Sequence, residues 1–454
     1  MLWNHSCRQA SEIALFTAQA YDERMDILVG GFGPLNGQTC KGIERFALTV
    51  DAHNASSAAK CEDEAEVERE TEGGNGCNDS NTIRVLRRDV LADLPSPTWL
   101  ERDGDMLYAV LENTGEITSL RIECDDDGLR LRELSRVPVQ GDGPTHAAIA
   151  VDDEGQRHLV VADYGDGSIA VHPIGDDGGA MHGTQLLRGE GHGPLPAQAG
   201  PHAHWVLPLP DGRVLTTDLG ADRIYVHQWD HGALRRIGAV MLAPGTGLRD
   251  MHLMPTNDGG WCVAVVGEWG DSVTLLACDD VSKGSAEHGH EGGHEHERDT
   301  GGDGIRVVQT VDLGGDPGDQ AASLAYVSSA AVLAARPDGS ARAAHSAGSA
   351  RPGESTPTAA GFAYIGLRGS ERIITLAWDG ERFARLAEPE TPGWRGRGIL
   401  CGGKRPRQLV AFDTLLFAAD ETSNNIAVFE LLATGEPCER AHFDADSPTV
   451  IVRV

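Results

Sequence analysis

Short apolar runs of about five or six residues recur along the chain, each closed by a polar turn rich in glycine and aspartate. One unit repeats. An apolar strand leads into a turn that often contains Asp-Gly, then a second apolar strand, a glycine/acid turn and a third strand. Ile149–Val151, the turn at 152–155, His158–Ala162, the turn Tyr164–Gly167 and Ser168–Pro173 form one copy. Trp205–Leu209, Asp211–Gly212, Arg213–Thr217, Leu219–Asp222 and Arg223–His227 form the next. Other copies read WLERDGDMLYAVLENTGEITSLRI, MHLMPTNDGGWCVAVVGEWGDSVTLLAC and LVAFDTLLFAADETSNNIAVFEL. Another starts near Ala322, is interrupted, and resumes at GFAYIGLRGSERIITLAW. The first copy, ILVGGFGPLNGQTCKGIERFALTV, has a longer central turn, and brings the count to seven.

The apolar runs are nearly continuous, which suits strands covered on both faces. No copy can bury both faces alone, so the array is expected to fold as one all-β domain, a seven-bladed β-propeller. The C-terminal SPTVIVRV is expected to pair with the first blade, closing the ring and removing an exposed edge. The propeller is expected over residues 26–454, after an N-terminal extension at 1–25 whose ASEIALFTAQAYDE favours a short helix. Three segments, at about 51–81, 282–303 and 334–358, hold too little apolar content to fold alone and read as solvated insertions.

Charge narrows the partners. The formal net charge is −31, from 69 acidic and 38 basic residues, so nucleic acid and anionic membranes would be repelled. An anionic small substrate would need basic residues gathered at its site, and the run WRGRGILCGGKRPR at 394–407 is a candidate source. Nine cysteines at irregular spacings, with no CxxC pair, point to a reducing compartment rather than a disulfide or zinc framework. The N-terminus lacks a basic region followed by an apolar run, and no stretch has the length of a membrane span. A cytoplasmic monomer or dimer is expected. His288, His290, His294 and His296 are interleaved with glycine and glutamate and have no surroundings to fix a geometry. No metal site is expected.

Strand order predicts where charged residues converge. With strands A, B and C running outwards from the axis and adjacent strands antiparallel, the start of A and the end of B share one face of the ring. At the B ends stand Glu112, Asp163, Asp218, Glu268, Arg368 and Glu421. At the A starts stand His146, His202, His204, Arg249 and Arg407. Charged groups in such inward places are costly unless paired or functional. Asp163 and Asp218 also suit capping of the B–C turns, and His146 and His202 suit structural roles.

At these residues the chain resembles the lactonase seven-bladed propeller family, which contains bacterial 6-phosphogluconolactonases and fungal carboxy-cis,cis-muconate cyclases. GPHAHWVLPLPDGRVLTTDLGADRIYVH, residues 200–227, carries most of the likeness. PTHAAIAVDDEGQRHLVVADYGDGSIAVHPI and PRQLVAFDTLLFAADETSNNIAVFEL are similar to the preceding blade and the last. The resemblance implies a site in which His204, Arg249, Glu268 and Arg368 act on a lactone. His202, Asp218, Arg407, Glu421 and His146 are then candidates for substrate binding. Three departures stand out: Ala197–Gln198 where the family often has Arg-Gln, Leu248–Arg249–Asp250 for Pro-Arg-His, and Glu421 for glutamine.

The implied activity is hydrolysis of a small anionic sugar lactone, 6-phosphoglucono-1,5-lactone first, without metal or cofactor. In it His204 would serve as general base and an arginine would stabilise the oxyanion. Glu268 would orient an arginine or relay a proton. Cycloisomerisation, hydrolysis of another sugar or muconate lactone, and a propeller used as a binding scaffold are the alternatives.

Overall fold

The computed structural model describes residues 22–51, 82–125, 128–278, 304–334, 360–386 and 398–454. The expected N-terminal helix, nearly all of the three insertions, the histidine tract and the start of the basic run lie outside the described residues. The first strand begins at Asp22, four residues before the boundary expected from sequence.

Seven antiparallel sheets stand around one axis. Each has four strands in order, not three, and in the sixth blade the short strand Ile399–Leu400 adds a fifth by pairing with Arg372–Ile373. A further outer strand follows each repeat unit, as at Gly128–Pro138, Ala233–Met241 and Pro437–Asp444. These outer strands mostly alternate half-buried and exposed residues, so their apolar content was too dilute to show as a run. The second strands are the opposite case. Met106–Leu111 and Val214–Asp218 are buried at every position, wedged between neighbouring blades. Numbered along the chain, the blades hold as their inner strands Pro448–Arg453, Pro97–Asp103, Pro144–Val151, Ala203–Pro208, Leu248–Pro255, Gln320–Ser328 and Pro406–Phe412.

The ring closes through its ends. Ile27–Gly30 pair antiparallel with Val450–Arg453, so the first blade takes its inner strand from the C-terminus. The two runs of the first copy are accordingly the second and third strands of that blade. Polar atoms on buried strands find carbonyls across blade boundaries. Tyr108 Oη donates to Gly178 O at 2.8 Å, Tyr364 Oη to Gly435 O at 2.9 Å and Trp378 Nε1 to Pro255 O at 2.8 Å. Such bonds remove the penalty of burying a donor and lock neighbouring blades in register. Among the described residues, no helix is long and apolar enough to cross a membrane.

Candidate active site

Every inner strand is irregular at its start. Pro97 faces Leu111 and Trp99 faces Val110, which leaves Thr98 unpaired in a bulge. The same shift recurs around Thr145, His204, Arg249, Arg407 and Thr449, and the sixth blade skips Ala322 and Ser323. A bulge adds a residue that the ladder does not hold and re-aims its side chain. All of these bulged residues line a cavity of about 190 Å³ on the axis. The repeat thus offers one bulged residue per blade, and two in the sixth, to the channel.

A second repeated position faces them. Glu112, Tyr164, Leu219, Glu268 and Glu421 each follow a second strand, and each donates its N–H to the residue before the inner strand's ladder. The acceptors are the carbonyls of Ser96, Gly143, His202, Gly247 and Arg405. Asp163 and Asp218 lie one residue earlier, as the last strand residues, and one residue of shift turns a side chain to the other face.

Asp218 Oδ1 accordingly accepts His202 N at 2.8 Å and Ala221 N at 3.0 Å, capping its turn. Asp163 meets Ser168 Oγ at 3.3 Å, and burial pushes its carboxyl up to about 8. His146 is also one residue off. Thr145 holds the bulge, while His146 pairs with Ala162 and lies between Trp99 and Trp205, with ring centres 4.3 and 3.7 Å away. It accepts Val206 N at 3.2 Å, and burial holds it neutral. His202 stacks on Tyr164 at 4.6 Å, its Nδ1 2.8 Å from Tyr164 O.

Four expected residues do meet. Arg249 Nη1 donates to His204 Nε2 at 2.7 Å and to Glu268 Oε2 at 2.9 Å. Arg249 Nε donates to the carbonyl of bulged Ala322 at 2.8 Å, so blade six also fixes the guanidinium. Arg368 Nη2 lies 2.8 Å from the same Glu268 oxygen, and all four side chains are buried. Gly247 supports the arrangement. At φ 65° it takes a conformation that few side chains tolerate, and a Cβ there would lie 2.4 Å from the Trp269 ring. Its N–H reaches Asp222 Oδ1 at 2.6 Å, while its carbonyl accepts Glu268 N at 2.8 Å.

Burial alone would raise the Glu268 carboxyl, but Arg368, Arg249 and Arg407 outweigh it and hold the group below its usual range. Burial, with Arg249 and Arg407 nearby, drives His204 well below an ordinary imidazole. Burial and Arg249 bring Arg368 down to about 9, still charged at neutral pH.

Arg407 extends this cluster. Its Nη1 lies 3.5 Å from Glu421 Oε2, which Arg405 Nε also meets at 3.2 Å, and its guanidinium sits 5.0 Å from the Phe32 ring centre. Four guanidiniums, of Arg249, Arg368, Arg405 and Arg407, therefore pair with Glu268 and Glu421, beside a cavity that Glu112 and Asp250 also line. Tyr164 and Arg405 are additions that sequence reasoning missed. The Tyr164 ring meets His204 edge-on at 6.0 Å. Its register match to Glu268 was the available signal.

The departures acquire explanations. Gln198 donates to Leu219 O at 3.0 Å and Asp222 Oδ1 at 2.9 Å, holding its loop rather than facing the axis. Asp250 accepts Leu324 N at 2.9 Å and lies 3.1 Å from His252 Nε2, so it ties blade five to blade six. Among the described residues, no group of three or more His, Cys, Asp or Glu is placed to hold a metal ion.

The family model described as "Lactonase, 7-bladed beta-propeller" matches residues 77–286. A 6-phosphogluconolactonase of Bacillus subtilis is 28% identical over 167 residues, covering 36% of this chain and 47% of that protein. The chain thus spans about half the length of this curated relative. The structure of a periplasmic gluconolactonase of Pseudomonas aeruginosa shares the fold, with a TM-score of 0.63 and 22% identity over 95% of this chain and 99% of that one. A Lactobacillus plantarum protein shares it equally, with a TM-score of 0.63 and 19% identity over 95% of this chain and 100% of that one.

Proposed function

We propose that this chain, whose residues 77–286 match the lactonase seven-bladed β-propeller family model, hydrolyses a sugar lactone, with 6-phosphoglucono-1,5-lactone as its substrate. The observation that carries the reading is the buried His204–Arg249–Glu268–Arg368 cluster on the axis.

The mechanism follows from the contacts. A lactone carbonyl entering the cluster competes for the Arg249 N–H groups, and the oxyanion that forms on its oxygen is matched by a fixed cation. Arg249 then releases His204 Nε2, whose lone pair becomes free to take a proton from the attacking water. Glu268 holds Arg249 and Arg368 side by side and keeps two like charges from separating. Water oxygen bonds to the carbonyl carbon, the ring C–O bond breaks, and the ring oxygen leaves as a hydroxyl. The substrate phosphate is assigned to Arg407 and Arg405, because guanidinium forks suit phosphate oxygens. We place the reaction in the cytoplasm, in keeping with the buried free thiols of Cys40, Cys262 and Cys401.

Steady-state kinetics on glucono-1,5-lactone with and without its 6-phosphate test this reading. The phosphorylated lactone is expected to have the higher kcat/KM, and Arg407→Gln to raise KM about 10-fold for that substrate alone. Equal kcat/KM for both lactones would remove the phosphate from the assignment.

A further inference from the structure

The cluster supplies a base and cations, but no group that carries a proton at the start of the reaction. Three further titratable side chains lie on the same cavity without a part in that mechanism, and of these Asp250 and His252 are paired with each other, which leaves Glu112. Glu112 follows the second strand of blade two, in the register of Glu268 and Glu421, and lines the cavity with His204, Arg249 and Arg407. Unlike those two carboxylates it makes no ion pair at contact distance among the described residues. Its Oε2 is buried and lacks a hydrogen-bond partner. An ionised carboxylate in that state would be costly, whereas a carboxylic acid offers an O–H to the cavity.

We infer that Glu112 is the proton donor to the leaving ring oxygen of the lactone, an inference that rests on the hydrolase reading above. Water adds to the carbonyl carbon as His204 takes its proton, giving a tetrahedral oxyanion beside Arg249. Collapse of the oxyanion breaks the ring C–O bond, and the Glu112 O–H proton passes to the departing oxygen. The proton held by His204 returns to the Glu112 carboxylate, so one water is consumed and both side chains end as they began. The groups facing Glu112 agree with this state: burial raises its pKa most, Glu421 raises it further, and Arg407, Thr98 and Arg249 only partly oppose them.

The test exploits leaving groups. A sugar lactone expels an alkoxide and needs the acid, while a phenol lactone such as dihydrocoumarin expels a phenolate and does not. Glu112→Gln keeps the shape and removes the proton. It is expected to lower the ratio of kcat on glucono-1,5-lactone to kcat on dihydrocoumarin by about 100-fold, the scale of general acid catalysis. A purely structural role would move both rates together. An unchanged ratio in an enzyme active on both lactones overturns the role of Glu112 and leaves the hydrolase reading standing. A wild-type protein that accelerates neither these two lactones nor 6-phosphoglucono-1,5-lactone overturns that reading and this inference with it. If Glu112→Gln does not fold, the wild-type pH profile decides. With the sugar lactone kcat falls as pH rises through the raised Glu112 pKa, and with dihydrocoumarin it does not. Parallel profiles overturn the assignment.

Discussion

Arg249 Nη1 donates to His204 Nε2 at 2.7 Å, and this bond decides which imidazole nitrogen carries the proton. A guanidinium has no acceptor, so Nε2 must be the bare nitrogen and Nδ1 the protonated one. Burial and the arginines also keep the ring neutral far below the usual imidazole pKa. A base of this kind works above its own pKa. The acidic limb of kcat/KM should therefore lie well below pH 6.5, and a limb centred near 6.5 in a pH–rate profile would exclude His204 as the base.

Arg249→Lys keeps the charge and loses the planar fork that reaches His204, Glu268 and Ala322 O together. Lactonase kcat is expected to fall by about 100-fold, the typical loss of one oxyanion donor, with the unfolding midpoint much less affected. Steady-state assays beside urea melts distinguish this from a variant that loses activity by unfolding.

Glu268 is the shared partner of two buried arginines, and Glu268→Gln leaves both facing each other. Breaking such a buried set should cost about 3–5 kcal/mol in urea unfolding at pH 7. The pH dependence has a definite sign. The Glu268 pKa is depressed in the folded state, so its stabilisation is present above the unfolded pKa and lost as pH falls through the folded one. The deficit of Glu268→Gln should therefore shrink towards pH 3, and a deficit that stays constant with pH would contradict the ion-pair account.

Asp163 acts in the opposite direction. Its folded pKa is raised to about 8, chiefly by burial and then by Asp166. Its contribution is fully present below the unfolded pKa and is lost as pH rises through about 8. Asp163→Asn should flatten the fall in melting temperature between pH 5 and 9, measured by thermal scans of both proteins.

Gly247→Ala forces a side chain into a positive-φ site against Trp269. The backbone strain alone is worth about 1–3 kcal/mol, and relief of the clash would displace Arg249 and Glu268 together. Loss of both stability and lactonase kcat is expected, whereas an unperturbed Tm would show that the loop repacks freely.

The fold was legible because the second strands are unbroken apolar runs, such as MLYAVL and LLFAAD, set at regular intervals. The outer strands escaped notice because residues such as Arg235 and Arg236 in ALRRIGAVM dilute their pattern. The four clustered residues were found from strand direction together with family resemblance. Register was the limit. Nothing in the local sequence announces a bulge, so His146 was read in the place that Thr145 occupies, and Asp163 in that of Tyr164. Both offsets are a single residue, enough in a strand to reverse a side chain, and both residues take the structural roles that the sequence also allowed them.

Lactone hydrolysis by the His204–Arg249–Glu268–Arg368 cluster is open to direct assay. The most direct test follows 6-phosphoglucono-1,5-lactone with purified wild-type protein and with His204→Ala, each corrected for spontaneous hydrolysis. The account predicts rapid turnover by the wild type and a loss of about 100-fold or more in the variant, the lower end of the usual contribution of a general base. Wild-type turnover no faster than buffer, or full activity in His204→Ala, would contradict it.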